Sequence, residues 1–222
     1  MPDNVPRRFR ILVFDWDGTL VDSTSIIARS LQQACRDVGA PVPDDARARY
    51  VIGLGLADAL AHIAPDLPRE RHGELAGAYR THYLAQEDAI PLFAGAAELL
   101  GELQAAGHLL AVATGKSRKG LDRALAQQGV AHRFVATRCA DEGPPKPDPA
   151  MLHHLVDRIG GSIDETLMIG DTTHDLELAA RAGASSLAVA YGAHAAEGFA
   201  SFAPLATVHS IAELAQWLRA NG

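Results

Sequence analysis

The strongest constraint on the fold of this 222-residue chain is the alternation of short apolar runs with segments of helical periodicity. Apolar runs of strand length cover residues 11–14, 109–113, 166–169 and 186–190, and a weaker run covers 134–137. The segments between them repeat apolar residues every three to four positions, which is typical of one helix face. This order predicts an α/β fold, a Rossmann-like parallel sheet sandwiched by helices.

Residues 22–89 interrupt this alternation because they contain no strand signal. We expect Ser23 to cap a helix that carries Ile27 and Val38 on its apolar side. Further helical segments are expected at 47–51, 56–63 and 69–85. The sequence thus predicts a core domain of residues 1–21 and 90–222 and an inserted all-helical cap domain of residues 22–89, called the insert below. An insert directly after the first strand is placed to act as a lid.

Polar residues end three of the apolar runs, namely Asp15, Thr114 and Asp171. In a parallel α/β sheet, ligands bind beyond the carboxyl ends of the strands. Three separate stretches of sequence are therefore expected to deliver polar side chains to the same edge of the sheet.

Two pairs of carboxylates stand at these strand ends. Asp15 and Asp17 are two residues apart in Asp-Trp-Asp-Gly-Thr, and Asp171 and Asp175 are four apart in Gly-Asp-Thr-Thr-His-Asp. Acids so close together repel unless a cation lies between them or one is protonated, and hard carboxylate oxygens suit Mg²⁺. The alternative is structural: the first pair can cap an ordinary turn, and acids favour a helix N-terminus.

Two further segments are candidates for binding an anion. Thr114-Gly115-Lys116-Ser117 follows a strand and opens a helix, where a hydroxyl and free backbone N–H groups can hold a phosphate. Lys146 stands among four prolines in residues 144–149, which keep the backbone stiff. It is either a solvated loop charge or a fixed cation for a phosphate. Asp148 followed by Pro149 is a suitable start for the next helix.

Taken together, these four segments resemble the motifs of the haloacid dehalogenase superfamily of aspartyl-phosphate hydrolases, in order and in spacing. Asp-Trp-Asp-Gly-Thr resembles the first motif, Thr114 the second, Lys146 the third and Gly-Asp-Thr-Thr-His-Asp the fourth. The helical insert after the first motif resembles the cap of the phosphoglycolate phosphatase-like branch. The resemblance covers essentially the whole chain.

The resemblance implies a Mg²⁺-dependent phosphatase acting on a small phosphorylated metabolite such as 2-phosphoglycolate. Asp15 would be the nucleophile and Asp17 the general acid and base. The implied metal ligands are Asp15, the backbone carbonyl of Asp17, and Asp171, with Asp175 in support. The implied phosphate-binding groups are Gly18, Thr19, Thr114, the amide of Gly115, and Lys146.

Other activities on the same scaffold stay open, namely pyrophosphatase, sugar or nucleotide phosphatase, and phosphosugar mutase. A 2-haloacid dehalogenase also uses an aspartate nucleophile, but a halide leaving group needs no proton. Asp17 and the acidic fourth segment therefore argue against dehalogenation. A protein that only binds a partner through its insert is the remaining alternative, and the complete set of four segments argues against it.

Composition limits the setting and the partners. The formal net charge of −7 and the pI near 5.8 disfavour nucleic acid as a partner. No stretch approaches 18 apolar residues and no leader peptide is predicted, so we expect a cytoplasmic protein without a membrane partner, as monomer or homodimer. Cys35 and Cys139 read as buried small apolar residues in a reducing compartment.

Within the insert, the sequence offers candidates for contact with the non-phosphate end of the substrate. The charged or titratable ones are Arg47, Arg49, His62, Arg80 and His82. Gly53-Leu54-Gly55 resembles a glycine-rich phosphate loop, but no strand precedes it, so we expect it to bend the insert towards the site.

Overall fold

A six-stranded parallel sheet forms the centre of the protein, and the computed structural model describes residues 8–222. The strands are β1 Ile11–Phe14, β2 Leu109–Thr114, β3 Ala136–Cys139, β4 Thr166–Gly170, β5 Ser185–Val189 and β6 Thr207–Val208. Their order is β3-β2-β1-β4-β5-β6, and every neighbouring pair is parallel. Residues 1–7 lie outside the described residues. They include the start of the predicted core domain and the N-terminal segment in which no leader peptide is predicted.

Nine α-helices are present in the described part of the chain. They are α1 Thr24–Asp37, α2 Asp45–Tyr50, α3 Leu56–Ile63, α4 His72–Leu84, α5 Ala96–Ala105, α6 Arg118–Gln128, α7 Ala150–Ile159, α8 Thr173–Ala182 and α9 Ile211–Asn221. Among the described residues, no helix combines the length and the apolar character needed to cross a membrane.

The alternation of side chains along β1 shows how the helices cover both faces of the sheet. Leu12 and Phe14 belong to an apolar cluster that includes residues of α5 and α9, while Ile11 and Val13 belong to one that includes residues of α7 and α8. Successive side chains of a strand point to opposite faces, so a strand buried on both sides must be apolar throughout. This arrangement confirms the predicted α/β sandwich.

Several predicted element boundaries were wrong. The weak strand begins two residues later than predicted, at Ala136, because Val135 is 54% exposed and lies before the sheet. The fourth predicted run begins one residue earlier, at Ser185. The short edge strand β6 was not predicted, because two residues carry no periodicity.

Two helix starts also differ from the prediction. Helix α7 begins at Ala150 with Pro149 as its N-cap, and the Asp148 carboxylate accepts a hydrogen bond from the Ala150 amide at 2.9 Å. The segment predicted as helix 69–85 is a 3₁₀ turn over Arg69–Arg71 followed by α4.

The insert contains α1 to α4, and its capping differs from the prediction. Ser23 precedes α1, but its side chain makes no capping hydrogen bond. Asp44 caps α2 by accepting from the Arg47 amide at 2.8 Å, and α2 begins at Asp45 rather than at residue 47. Within the insert Cys35 is buried and free, as is Cys139 in the core, which confirms the prediction for both.

The chain enters and leaves the insert at adjacent points. Val21 and Leu92 form an antiparallel bridge, and the Asp22 amide donates to the Pro91 carbonyl at 3.0 Å. The Phe93 amide donates to the Leu20 carbonyl at 2.9 Å. These hydrogen bonds hold the two connecting segments side by side at the carboxyl end of β1.

Candidate active site

Three carboxylates meet at the carboxyl end of the central strands. Asp15 directly follows β1, Asp171 directly follows β4, and Asp175 lies in the first turn of α8. All three side chains are buried, and an oxygen from each lies within 4.8 Å of the others. Because β1 and β4 are parallel neighbours in register, their ends bring Asp15 and Asp171 together.

Lys146 lies inside this acidic cluster. Its Nζ is 2.8 Å from Asp15 Oδ1 and donates to Asp175 Oδ1 at 2.6 Å, and the side chain is buried. Burial lowers the pKa of Lys146, but the adjacent carboxylates raise it by more, so the net shift is upward. Lys146 is therefore a fixed buried cation rather than a solvated loop charge.

The cluster still contains more negative charge than one lysine balances. Burial raises the pKa of Asp15 well above its usual range despite Lys146, and Asp175 and Asp171 raise it further. Burial and repulsion by Asp175 raise the pKa of Asp171 to about 7. The uncompensated charge indicates a site that suits a cation.

The close approach of the backbone and the oxygen atoms of the cluster also suit a bound cation. Asp15 Oδ2 is buried and has no hydrogen-bond partner among residues 8–222. A Cβ at Gly18 or Gly192 would come closer than 3.0 Å to Asp171, and one at Gly170 closer than 3.0 Å to Asp175. These glycines let the backbone approach the carboxylates closely. Hard oxygen donors with one oxygen free fit a divalent cation such as Mg²⁺.

Hydrogen bonds fix the orientation of Asp171 and Asp175. Asp171 Oδ1 accepts from Thr19 Oγ1 at 2.8 Å, and its Oδ2 accepts from the Ala193 amide at 2.7 Å. Asp175 Oδ2 accepts from Thr172 Oγ1 at 2.7 Å and from the Thr172 amide at 3.1 Å, so Asp175 also caps α8. The contribution of the loop after β5, through Ala193, was not predicted, because only a single neighbouring glycine marks it in the sequence.

Asp17 lies beside this cluster, at the edge of a cavity between the insert and the core. Its Oδ1 accepts from Ser23 Oγ at 2.7 Å and lies 3.3 Å from Lys116 Nζ. The hydroxyl of Ser23 is thus occupied by Asp17, which explains why it does not cap α1. Asp17 Oδ2 makes no hydrogen bond to the described part of the chain.

Lys116 links Asp17 to the insert. Its Nζ donates to the hydroxyl of Tyr83 on α4 at 2.7 Å and lies 4.6 Å from the centroid of the Tyr83 ring. Lys116 was predicted only as part of the Thr114 segment, and Tyr83 was not predicted, because a helix residue 33 positions away carries no local sign of this contact.

The backbone of the insert touches the core at Gly115. A Cβ at Gly115 would lie 2.6 Å from the carbonyl oxygen of Gly53 and closer still to that of Leu54. Gly53 has a φ of +94°, a conformation that favours glycine. The prediction that residues 53–55 bend the insert towards the site is confirmed. Thr114, next to Gly115, is buried, and its Oγ1 accepts from the Lys116 amide at 3.2 Å.

A second contact between insert and core involves the backbone of α2. His174 Nε2 and His194 Nε2 lie 2.8 and 2.9 Å from the carbonyl oxygen of Tyr50, so each ring donates from Nε2. The Tyr50 ring is stacked on His194, with centroids 5.4 Å apart. Burial lowers the pKa of both histidines. The Thr173 amide donates to His194 Nδ1 at 3.1 Å, a hydrogen bond that requires His194 to be neutral.

The cavity has a volume of about 340 Å³, and Asp15 and Asp17 contribute to its lining. Of the five charged or titratable residues predicted to meet the substrate, only Arg80 lines it. The other four are Arg47, Arg49, His62 and His82, which are engaged in contacts elsewhere in the insert.

The sequence of the chain matches a known family over most of its length. Residues 12–189 match the family described as haloacid dehalogenase-like hydrolase. The probable phosphatase IndB of Dickeya dadantii (strain 3937) is 33% identical over 210 residues, which cover 92% of this chain and 91% of that protein. The phosphoglycolate phosphatase of Vibrio cholerae serotype O1 is 32% identical and covers 89% of this chain and 92% of that protein.

Solved structures share the fold. A hydrolase from Pseudomonas syringae superposes with a TM-score of 0.87 at 23% identity and covers 95% of this chain and 98% of its own. At this level of identity the likeness concerns the fold alone.

Proposed function

This chain belongs to the haloacid dehalogenase-like hydrolases, and from that premise we propose that it is a Mg²⁺-dependent phosphatase of small-metabolite phosphomonoesters. The proposed mechanism proceeds through a phosphoaspartate at Asp15. The observation that carries the proposal is the state of Asp15: a buried carboxylate beside Lys146, with one oxygen free of hydrogen bonds among residues 8–222, at the edge of a cavity.

In the first step, the free oxygen of Asp15 attacks phosphorus and the bond from phosphorus to the leaving oxygen breaks. Asp17 donates a proton to that leaving oxygen, so the alcohol departs neutral. Ser23 and Lys116 hold Asp17 Oδ1, which leaves its Oδ2 for the proton transfer. In the second step, Asp17 takes a proton from water, the water oxygen bonds to phosphorus, and the Asp15 carboxylate is released with inorganic phosphate.

The metal ligands in this proposal are Asp15, the backbone carbonyl of Asp17, and Asp171, with Asp175 in support. When bound, Mg²⁺ offsets the negative charge of the carboxylates and of the phosphate that must approach them. Asp175 also orients Lys146, since its Oδ1 accepts a hydrogen bond from the Lys146 ammonium group.

The remaining groups proposed to bind phosphate are Lys146, Thr114, the amide of Gly115, Gly18 and Thr19. Lys146 supplies positive charge, and Thr114 and the Gly115 amide supply donors for the phosphoryl oxygens. Gly18 gives the chain a left-handed turn at φ +82° directly after Asp17. Thr19 contributes through Asp171, to which its hydroxyl donates.

Residues 22–89 are proposed to act as a cap over the core, residues 1–21 and 90–222, and to exclude bulk water from the phosphate. The contacts of Gly53 and Leu54 with Gly115 and of Lys116 with Tyr83 support this role. In the closed arrangement, the insert completes the wall of the cavity above Asp17.

The test is release of inorganic phosphate from a panel of small phosphoesters, including 2-phosphoglycolate, pyrophosphate, sugar phosphates and nucleotides, with Mg²⁺ and with EDTA. We expect release with Mg²⁺ only, and loss of turnover in Asp15→Asn with unchanged circular dichroism and Tm. Substantial turnover by that variant would exclude Asp15 as the nucleophile. Isomerised sugar phosphate without phosphate release would identify a mutase, and halide release from a 2-haloacid would identify a dehalogenase.

A further inference from the structure

We propose that the substrate is the phosphate monoester of an alcohol with an apolar body of about the size of an aromatic ring, rather than of a short hydrophilic acid such as glycolate. This inference rests on the proposed phosphatase function and concerns the leaving group at the same site.

The insert contributes an apolar wall to the cavity that holds the reacting carboxylates. Side chains from α1, from the loop after α2 and from α3 form it: Ile27, Leu31, Val51, Ile52, Leu56 and Ala59. Asp15 and Asp17 line the same cavity. A leaving group that extends from a phosphate at Asp15 into this cavity therefore meets aliphatic side chains.

Two tyrosines of α4 complete this wall. The rings of Tyr79 and Tyr83 are stacked, with centroids 5.8 Å apart and planes 25° apart, and both line the cavity. The Tyr83 hydroxyl is occupied by Lys116, whereas that of Tyr79 makes no hydrogen bond to residues 8–222. Stacked aromatic rings and aliphatic side chains contact an apolar group favourably and give a carboxylate no charge to pair with.

Three of the cations that the insert contributes are engaged away from the cavity. Arg47 donates to the carbonyl of His62 at 2.6 Å, Arg49 donates to Thr24 and Ser25 at 3.1 Å, and His82 pairs with Asp37 at 2.6 Å. None of these groups is available to bind the carboxylate of glycolate.

The cations that do line the cavity lie at its core side or at its opening. Lys116 is paired with Asp17, and Arg123 forms an ion pair with Glu87. Arg80 and Lys119 are exposed at the opening. Apart from exposed Arg80, ion-paired Glu87 and the two tyrosine hydroxyls, the side chains that the insert contributes to the cavity are therefore apolar. The positive charge of the core side is that of Lys116, Arg123 and Lys119.

Filling such a cavity has a measurable consequence for specificity. A single methylene in an apolar pocket changes kcat/KM by about 10-fold or more, and a carboxylate against the same wall loses hydration without gaining a partner. We expect kcat/KM for 2-phenylethyl phosphate to exceed that for ethyl phosphate by at least about 10-fold. For 2-phosphoglycolate we expect no advantage over ethyl phosphate.

The experiment compares these three esters with the Mg²⁺-loaded enzyme. They are alkyl phosphates with poor leaving groups, so the comparison reports the contacts of the cavity more than the reactivity of the ester. A preference for 2-phosphoglycolate over 2-phenylethyl phosphate would overturn the substrate class and leave the phosphatase proposal intact. Absence of phosphate release from all three and from the wider panel would overturn the phosphatase proposal itself.

A variant of the wall separates contact from stability. Leu56→Ala truncates a wall residue at the start of α3 that is only partly buried. We expect it to reduce the preference for 2-phenylethyl over ethyl phosphate by about 10-fold. Val42→Ala, at an insert residue that is 43% exposed and outside the cavity, is the matched control and should keep the wild-type ratio. An unchanged ratio in Leu56→Ala would count against the apolar wall as the determinant.

Discussion

The contact between the insert and Gly115 leads to a prediction that separates closure of the insert from the binding of phosphate. Gly115→Ala retains the backbone amide proposed to hold a phosphoryl oxygen and adds one methyl group. That methyl would lie 2.6 Å from the Gly53 carbonyl oxygen, whereas ordinary van der Waals contact begins at about 3.4 Å. The two oxygen atoms nearest to this methyl group, the carbonyl oxygens of Gly53 and Leu54, belong to the backbone of the insert. No side chain can therefore rotate to make room.

The size of the effect follows from this distance. The Gly53–Leu54 loop and Gly115 must separate by about 1 Å, and a displacement of that size at a site that positions substrate lowers the rate by about 100-fold. We therefore expect kcat/KM for the best substrate of the panel to fall by about 100-fold. The Tm should change little, because the insert can move outwards as a unit.

The assay is Mg²⁺-dependent phosphate release, with thermal unfolding of the same preparation. Gly77→Ala is the matched control, because Gly77 lies on the exposed side of α4 and a Cβ there would meet nothing within 4 Å. Alanine is favoured over glycine in a helix by about 1 kcal/mol, so this control should be fully active and at least as stable as the wild type. Wild-type kcat/KM in Gly115→Ala would show that the close contact is not needed for turnover.

Three further predictions concern the charges of the site. Lys146→Met leaves Asp15 and Asp175 buried without their cation. We therefore expect the free energy of unfolding, measured by urea denaturation, to fall by about 3–5 kcal/mol. A fall of less than about 1 kcal/mol would contradict this. Tyr83→Phe keeps the ring and removes a hydroxyl whose hydrogen bond to Lys116 is worth about 1 kcal/mol. We expect a roughly fivefold fall in kcat and a loss of no more than about 1 kcal/mol in the free energy of unfolding. An unaltered kcat would argue against a role for that hydroxyl. In EDTA, folded Asp171 holds its proton up to about pH 7 whereas the unfolded chain loses it near pH 3.8, so stability should fall as pH rises between these values. Urea midpoints at pH 5 and pH 8, in EDTA and in Mg²⁺, test this. The lowered pKa values of His174 and His194 favour pH 8 in both conditions, so the Asp171 contribution is the part of the difference that Mg²⁺ removes. A pH dependence that Mg²⁺ leaves unchanged would contradict it.

The positions of Asp15, Thr114 and Asp171 could be predicted because parallel strands place their ends on one edge of the sheet. Each residue directly follows or ends an apolar run, and the three stand at the carboxyl ends of β1, β2 and β4, which are neighbours in the sheet. The strand order therefore brings three residues that are far apart in the sequence close together in space.

Contacts that depend on how the insert sits on the core could not be predicted in the same way. Ser23 has the chemistry of a helix cap, yet its hydroxyl donates to Asp17, because the turn after β1 brings that carboxylate within 2.7 Å. Tyr83 reaches Lys116 only because α4 packs over the site, and the sequence of a helix does not state which surface it covers. For the same reason, the sequence did not distinguish among the five candidates of the insert for substrate contact, of which only Arg80 lines the cavity.

The paired segments at Val21 and Leu92 have a consequence for how such a protein can be altered. The two ends of the insert are held side by side by main-chain hydrogen bonds. These hydrogen bonds involve no residue from the interior of the insert, so they do not depend on its sequence. An insertion whose ends meet is the kind that domains accept without loss of their own structure. We therefore expect the helical segment to be exchangeable. A different set of helices joined at this junction would cover the same carboxylates and admit a different substrate.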